Sequence, residues 1–126
     1  MNKEHKIKSM QQGKGVQITT SNGYRVSCVW GAGTYSDNNN LRTNDDIHKH
    51  STTTIEIGIL TDAPGCHFVC LPSDVAAYVP VSNLGPIIEA VENEDWLEVC
   101  RLCGDCDDKY PVDTSKFPAK KDKQNV

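Results

Sequence analysis

The chain has 126 residues, 37% of them hydrophobic, which fits one domain with a single core and is too little for two. Its 17 acidic and 13 basic residues give a formal net charge of −4. That balance argues against a general binder of long DNA or RNA, whose affinity rests on a basic face. No apolar run approaches the roughly 20 residues of a membrane span, and the N-terminus lacks the apolar core of a signal peptide. The expectation is therefore a cytoplasmic protein whose six cysteines are reduced.

Residues 1–14 and 118–126 are polar and lysine-containing, and are expected to be flexible arms flanking one domain over 15–117. Val16 to Thr20 reads as a strand. Asn22-Gly23 supplies the two positive-φ positions of a tight hairpin turn, and Tyr24 to Trp30 reads as the returning strand. In that strand Tyr24, Val26, Cys28 and Trp30 share one face, with Arg25, Ser27 and Val29 on the other. Gly31 and Gly33 then form a hinge into a long polar loop, Tyr35 to Ser51, of the kind that is usually functional or disordered. Thr53 to Leu60 is the clearest strand, its Ile55, Ile57 and Ile59 pointing one way. Asp62 to Gly65 makes a turn, and Cys66 to Leu71 is expected to return with Cys66, Phe68 and Cys70 on one face.

The second half changes period. Leu84, Ile87, Ile88 and Val91 repeat at helical spacing behind a cap at Ser82 or Asn83, with Pro86 tolerated in the first turn. Asn93-Glu94-Asp95 interrupts. Trp96, Val99, Cys100 and Cys103 then repeat the spacing until Gly104 stops the helix. The predicted fold is α+β: an antiparallel sheet of four strands, or slightly more, followed by two short C-terminal helices. The apolar helix faces look larger than such a sheet can cover, which points to a homo-oligomer with helical contacts.

Cys100-x-x-Cys103-x-x-Cys106, with Cys66 and Cys70 elsewhere, is the obvious candidate for a structural metal site. The competing reading is packing, because Cys66, Cys70, Cys100 and Cys103 fall on apolar faces where cysteine serves as a small core residue. Packing is favoured, and no metal or other cofactor is expected. No Ser/His/Asp or Cys/His order with a recognisable nucleophile elbow is present, and Gly31-x-Gly33 lacks the Gly-Lys-Ser/Thr of a phosphate loop. An enzyme is not expected.

The run SNGYxVS, a short strand and then GxGxYxDN, from Ser21 to Asn38, resembles a family of small phage proteins, the first-described type of Thoeris anti-defence sponge. Members of that family capture cyclic ADP-ribose-type signals made by bacterial TIR-domain proteins, and some also bind cyclic oligonucleotides. The resemblance implies an antiparallel sheet followed by helices, dimers that build into hexamers, and sequestration of a small cyclic nucleotide signal without turnover. Beyond Asn40 the correspondence is lost. A small phage inhibitor of a protein partner, or a zinc-stabilised interaction module, is the alternative.

A purine, ribose hydroxyls and a pyrophosphate ask for aromatic, amide or carboxylate, and arginine partners respectively. Arg25, Arg42 and Arg101 are the three arginines of the chain and are candidates for phosphate. Tyr35 after the hinge and Tyr78 near the first helix are candidate stacking rings. Asp37 and Asn38 are placed for ribose, and Asn83 marks a helix start with free amide protons. Two regions, one with Arg25, Tyr35 and Asn38 and the other with Tyr78 and Asn83, are expected to converge on the ligand.

Overall fold

A computed structural model of the chain describes residues 4–9, 15–30, 52–61, 66–104 and 114–119. Alternating burial makes the central strands. In β3 (Tyr24–Val29), Tyr24, Val26 and Cys28 are buried while Arg25, Ser27 and Val29 are half-buried. In β4 (Thr54–Thr61), Ile55, Ile57 and Ile59 are wholly enclosed on the same side. β3 and β4 pair antiparallel with Val26 opposite Ile59 and Cys28 opposite Ile57, so both stripes meet on one face. β2 (Gly15–Thr19) flanks β3, and β1 (Lys6–Ser9) flanks β2. β5 (Val75–Pro80) closes the other side of β4. The result is a five-stranded antiparallel meander in chain order.

Two helices cover one face of this sheet. α1 (Leu84–Glu92) contributes Ile87, Ala90 and Val91 to the core, and α2 (Trp96–Leu102) contributes Trp96, Val99 and Cys100. Burying an Ile or Val side chain fully is worth roughly 1.5–3 kcal/mol each, so this layer is the main source of stability. Trp96 meets Tyr24 edge-to-face, with centroids 4.9 Å apart and planes at 80°. That geometry suits the ring quadrupoles. Among the described residues no helix is long and apolar enough to cross a membrane.

The helix ends carry their own chemistry. Asp95 caps α2 by accepting the Glu98 amide at 3.3 Å. At the end of α1 the Glu94 and Asp95 amides donate to the Val91 and Ala90 carbonyls, a Schellman arrangement. It places Glu94 at φ 54°, where glycine is usual, whereas the corresponding position after α2 is Gly104 at φ 80°.

Four expectations need correction. Lys6–Ser9, expected in a flexible arm, is an edge strand in register with β2. In the β2–β3 turn only Gly23 has positive φ, at 88°. Thr20 to Gly23 form one hydrogen-bonded turn, the Gly23 amide donating to the Thr20 carbonyl at 3.1 Å, so Asn22 keeps ordinary backbone geometry. Cys66 to Leu71 is not a strand. Left-handed φ at Cys66 (42°) and Cys70 (76°) interrupts it, leaving a single bridge between Phe68 and Leu60. Its residues also part: Cys70 enters the core while Phe68 stays 41% exposed. The strand beside β4 is instead Val75–Pro80, which carries Tyr78 inside it. On the helices, Ile87, Val91, Val99 and Cys100 are fully enclosed against the sheet, while Leu97 of α2 stays 55% exposed. The loop from Tyr35 to Ser51 and the turn from Asp62 to Gly65 lie outside the described residues.

Ile57 sits at the centre of this core, so Ile57→Ala should destabilise the fold by about 2–5 kcal/mol, read from the shift of the urea midpoint. A second outcome concerns alkali. Burial pushes the Cys28 thiol up from 9.0 to about 11. Its folded-state pKa therefore lies above the unfolded one, and its contribution is intact below pH 9 and lost as pH rises toward 11. The urea midpoint should fall across that window, and less steeply in Cys28→Val.

Candidate functional site

The two helices pack on one face of the sheet, and β-strand alternation dictates which described residues stand on the other. Lys6 pairs with Thr19, Thr19 with Arg25, and Arg25 with Leu60, forming one row across four strands. All four lie on the face opposite Val26 and Ile59. Adjacent strands are about 4.8 Å apart, so Lys6 and Arg25 stand two spacings, roughly 10 Å, from one another with Thr19 between them. Arg25 is braced: Nη1 donates to Gln17 Oε1 at 3.4 Å and Nη2 to Cys66 Sγ at 2.8 Å. Beside this row Phe68 lies across Gly58. A Cβ at Gly58 would come within 2.9 Å of Phe68 Cε1, so glycine there lets the ring rest on the sheet.

At the β1 end of the row is a polar pocket of about 330 Å³, lined by Glu4, Lys6, Thr19, Thr20, Ser21 and Gly23. Both of its walls are tied to one group. Glu92, the last residue of α1, has a side chain only 2% exposed, and its carboxylate takes His5 Nε2 at 2.9 Å, the Ser21 amide at 3.0 Å and the Ser21 hydroxyl. Asn22 Nδ2 donates to the Val91 and Glu92 carbonyls at 3.0 and 3.2 Å, adding a side-chain donor to the carbonyls that end the helix. Thr20 Oγ1 donates to Asn22 Oδ1 at 2.5 Å, which holds the turn to this arrangement. The Ser-Asn-Gly motif is thus the clasp between hairpin and helix.

The residues singled out from sequence separate. Arg25 lies on the sheet face opposite the helices. Asn83 lies in the helix layer, where its Nδ2 donates to the Leu102 carbonyl at 2.9 Å and so caps the end of α2 rather than the start of α1. Arg101 is exposed on α2 and pairs with Glu98, whose carboxyl is held below its usual range by that hydrogen bond. The sheet stands between these two residues and Arg25, so the expected convergence of Arg25 and Asn83 does not occur. Tyr78 is 48% exposed at φ 53°, in a bulge where Ala77 and Tyr78 together face Glu56. Tyr35, Asp37, Asn38 and Arg42 lie outside the described residues. Lys6, Phe68 and Glu92 were missed. The short alternation of Lys6-Ile7-Lys8 was the only signal for the first, and Gly58 opposite an exposed Phe the only one for the second.

The cysteines divide by depth. Cys28, Cys70, Cys100 and Cys103 are buried and Cys66 is half-buried. Cys70 and Cys100 bring their sulfurs to 3.5 Å, and their thiols also donate to the Trp96 and Cys70 carbonyls. Among the described residues no three His, Cys, Asp or Glu side chains gather as a metal site would need. Cys106 lies outside them.

No protein-family model, curated protein or solved structure was found to match this chain.

The depth difference has a direct readout. Brief alkylation of the native protein followed by peptide mass mapping should label Cys66 well ahead of Cys28, Cys70 and Cys100. Equal labelling of all four would contradict the core packing described above.

Proposed function

We propose that this protein binds and sequesters a small cyclic nucleotide-type immune signal, a cyclic ADP-ribose isomer or a cyclic oligonucleotide, without degrading it. The observation that carries the reading is the Ser21–Asn38 run, which resembles the phage anti-Thoeris sponges. The sheet face opposite the helices supports it, since it offers the braced guanidinium of Arg25 and the ammonium of Lys6 in one row, with the Phe68 ring beside it. Such groups complement a phosphorylated purine and contain no activated nucleophile. A phage-encoded protein acting in the host cytoplasm as a homo-oligomer, dimer or hexamer, belongs to the same proposal. Among the described residues, the exposed Ile7, Tyr78, Val81 and Leu97 are apolar groups that such contacts would use.

The test is chemical. Purified protein is incubated with a panel of cyclic ADP-ribose isomers and cyclic oligonucleotides, separated from free ligand, heat-denatured and analysed by chromatography. The bound compound should return unchanged and in stoichiometric amount. A new product peak would make the protein an enzyme, and failure to retain any member of the panel would remove the reading. Light scattering of the same sample should give a multiple of 13.9 kDa rather than that mass itself.

A further inference from the structure

We infer that the helix-free face of the sheet is a binding site for a diphosphate-bridged purine nucleotide, with Lys6 and Arg25 holding the diphosphate across Thr19 and Phe68 stacking on the base. The inference rests on the sequestration reading for its ligand class, and adds the site, the orientation and two residues that the sequence did not single out. The row sets the order of the contacts. Phe68 bridges to Leu60 on β4, Arg25 follows on β3, Thr19 on β2 and Lys6 on β1. Three strand spacings, roughly 14 Å, separate Lys6 from Leu60, a span comparable to an extended nucleoside diphosphate.

Each contact follows from chemistry. The Phe68 ring packs over Gly58 yet remains 41% exposed, which leaves it available for stacking. Arg25 is oriented by Gln17 and Cys66 before any ligand arrives, which lowers the ordering cost of a charge-assisted contact. Lys6 approaches from the opposite side of Thr19 as a second cation, so the charge of the row is positive although the chain as a whole is negative. The pocket beyond Lys6 receives the second ribose, whose hydroxyls suit the Glu4 carboxylate and the hydroxyl of Thr19. Glu92 is a positioning residue here. By taking His5 from one wall and Ser21 from the other, it fixes the spacing of a pocket it does not line.

The experiment uses the full chain and three probes: linear ADP-ribose, inorganic pyrophosphate and the cyclic ADP-ribose isomers. Calorimetry is paired with amide chemical-shift mapping. Binding of ADP-ribose or of a cyclic isomer should shift the amides of Lys6, Thr19, Arg25 and Phe68. Lys6→Ala, Arg25→Ala and Phe68→Ala should each weaken it about tenfold or more, and Lys6→Arg should largely restore it. Pyrophosphate should respond to Lys6→Ala and Arg25→Ala and ignore Phe68→Ala. If a cyclic isomer binds tightly while these amides stay still and the three variants bind as wild type, the site is overturned and sequestration stands. If ADP-ribose or pyrophosphate binds in a Lys6-dependent way while no cyclic compound is retained, the site stands and sequestration falls. If none of the three probes binds the wild-type protein, the inference is wrong.

Discussion

The buried carboxylate of Glu92 is the interaction on which the arrangement of the molecule's polar edge depends. A carboxylate removed from water is costly unless its lone pairs are met, and at the last residue of a helix it also opposes the helix dipole. Glu92 meets both costs with donors from two distant segments, His5 and Ser21, drawn 87 and 71 residues along the chain to one point. The same contact brings Asn22 over the carbonyls that end α1. One side chain therefore fastens the edge strand, the hairpin and the helix together, where the hydrophobic core supplies little. Ile7 beside it is 68% exposed, so β1 is held by its ladder and this polar clasp rather than by burial.

Everything else follows from a division of the sheet. The stripe of Ile55, Ile57 and Ile59 takes both helices onto one face, and Trp96, Val99 and Cys100 complete the packing. Stability is thereby concentrated on that side, which frees the opposite face to carry Arg25, Gln17, Ser27 and Thr19 at partial exposure. Phe68 stands on that face as the bridge partner of Leu60, and the left-handed turn at Cys70 lets Cys70 enter the core instead of following it. Non-glycine residues in that region of backbone space cost energy, and Cys66, Cys70 and Asp74 all occupy it within this short connection. The segment is held in return by the Cys70 amide on the Lys116 carbonyl at 2.8 Å and by Lys116 Nζ on Asp74 at 2.5 Å.

What the sequence discloses tracks how local the cause is. Strands β3 and β4 and both helices were legible because their burial is periodic, and periodicity is a local property of side-chain direction. β1 was hidden because four residues of mixed polarity are too few to show a period, and its register is fixed from outside by β2. β5 was hidden because Tyr78 sits in a bulge that breaks the alternation of Val75, Ala76 and Val79. Asn83 reads as an N-cap by position, yet its amide is recruited by the Leu102 carbonyl of the other helix, a tertiary contact that spacing does not encode. Arg25 was read on the correct face, but its separation from Asn83 required knowing which face the helices take. Cys70 and Cys100, 30 residues apart, likewise meet only in three dimensions.

The claim that Glu92 holds the polar edge can be tested most directly by hydrogen exchange on Glu92→Leu, which keeps bulk and apolar contact but removes both oxygens. Amides of Lys6–Ser9 and of Thr20–Tyr24 should lose protection together, while those of Ile55–Ile59 in β4 exchange nearly as slowly as in the wild type. Unchanged protection of β1 and the hairpin in that variant would contradict the account.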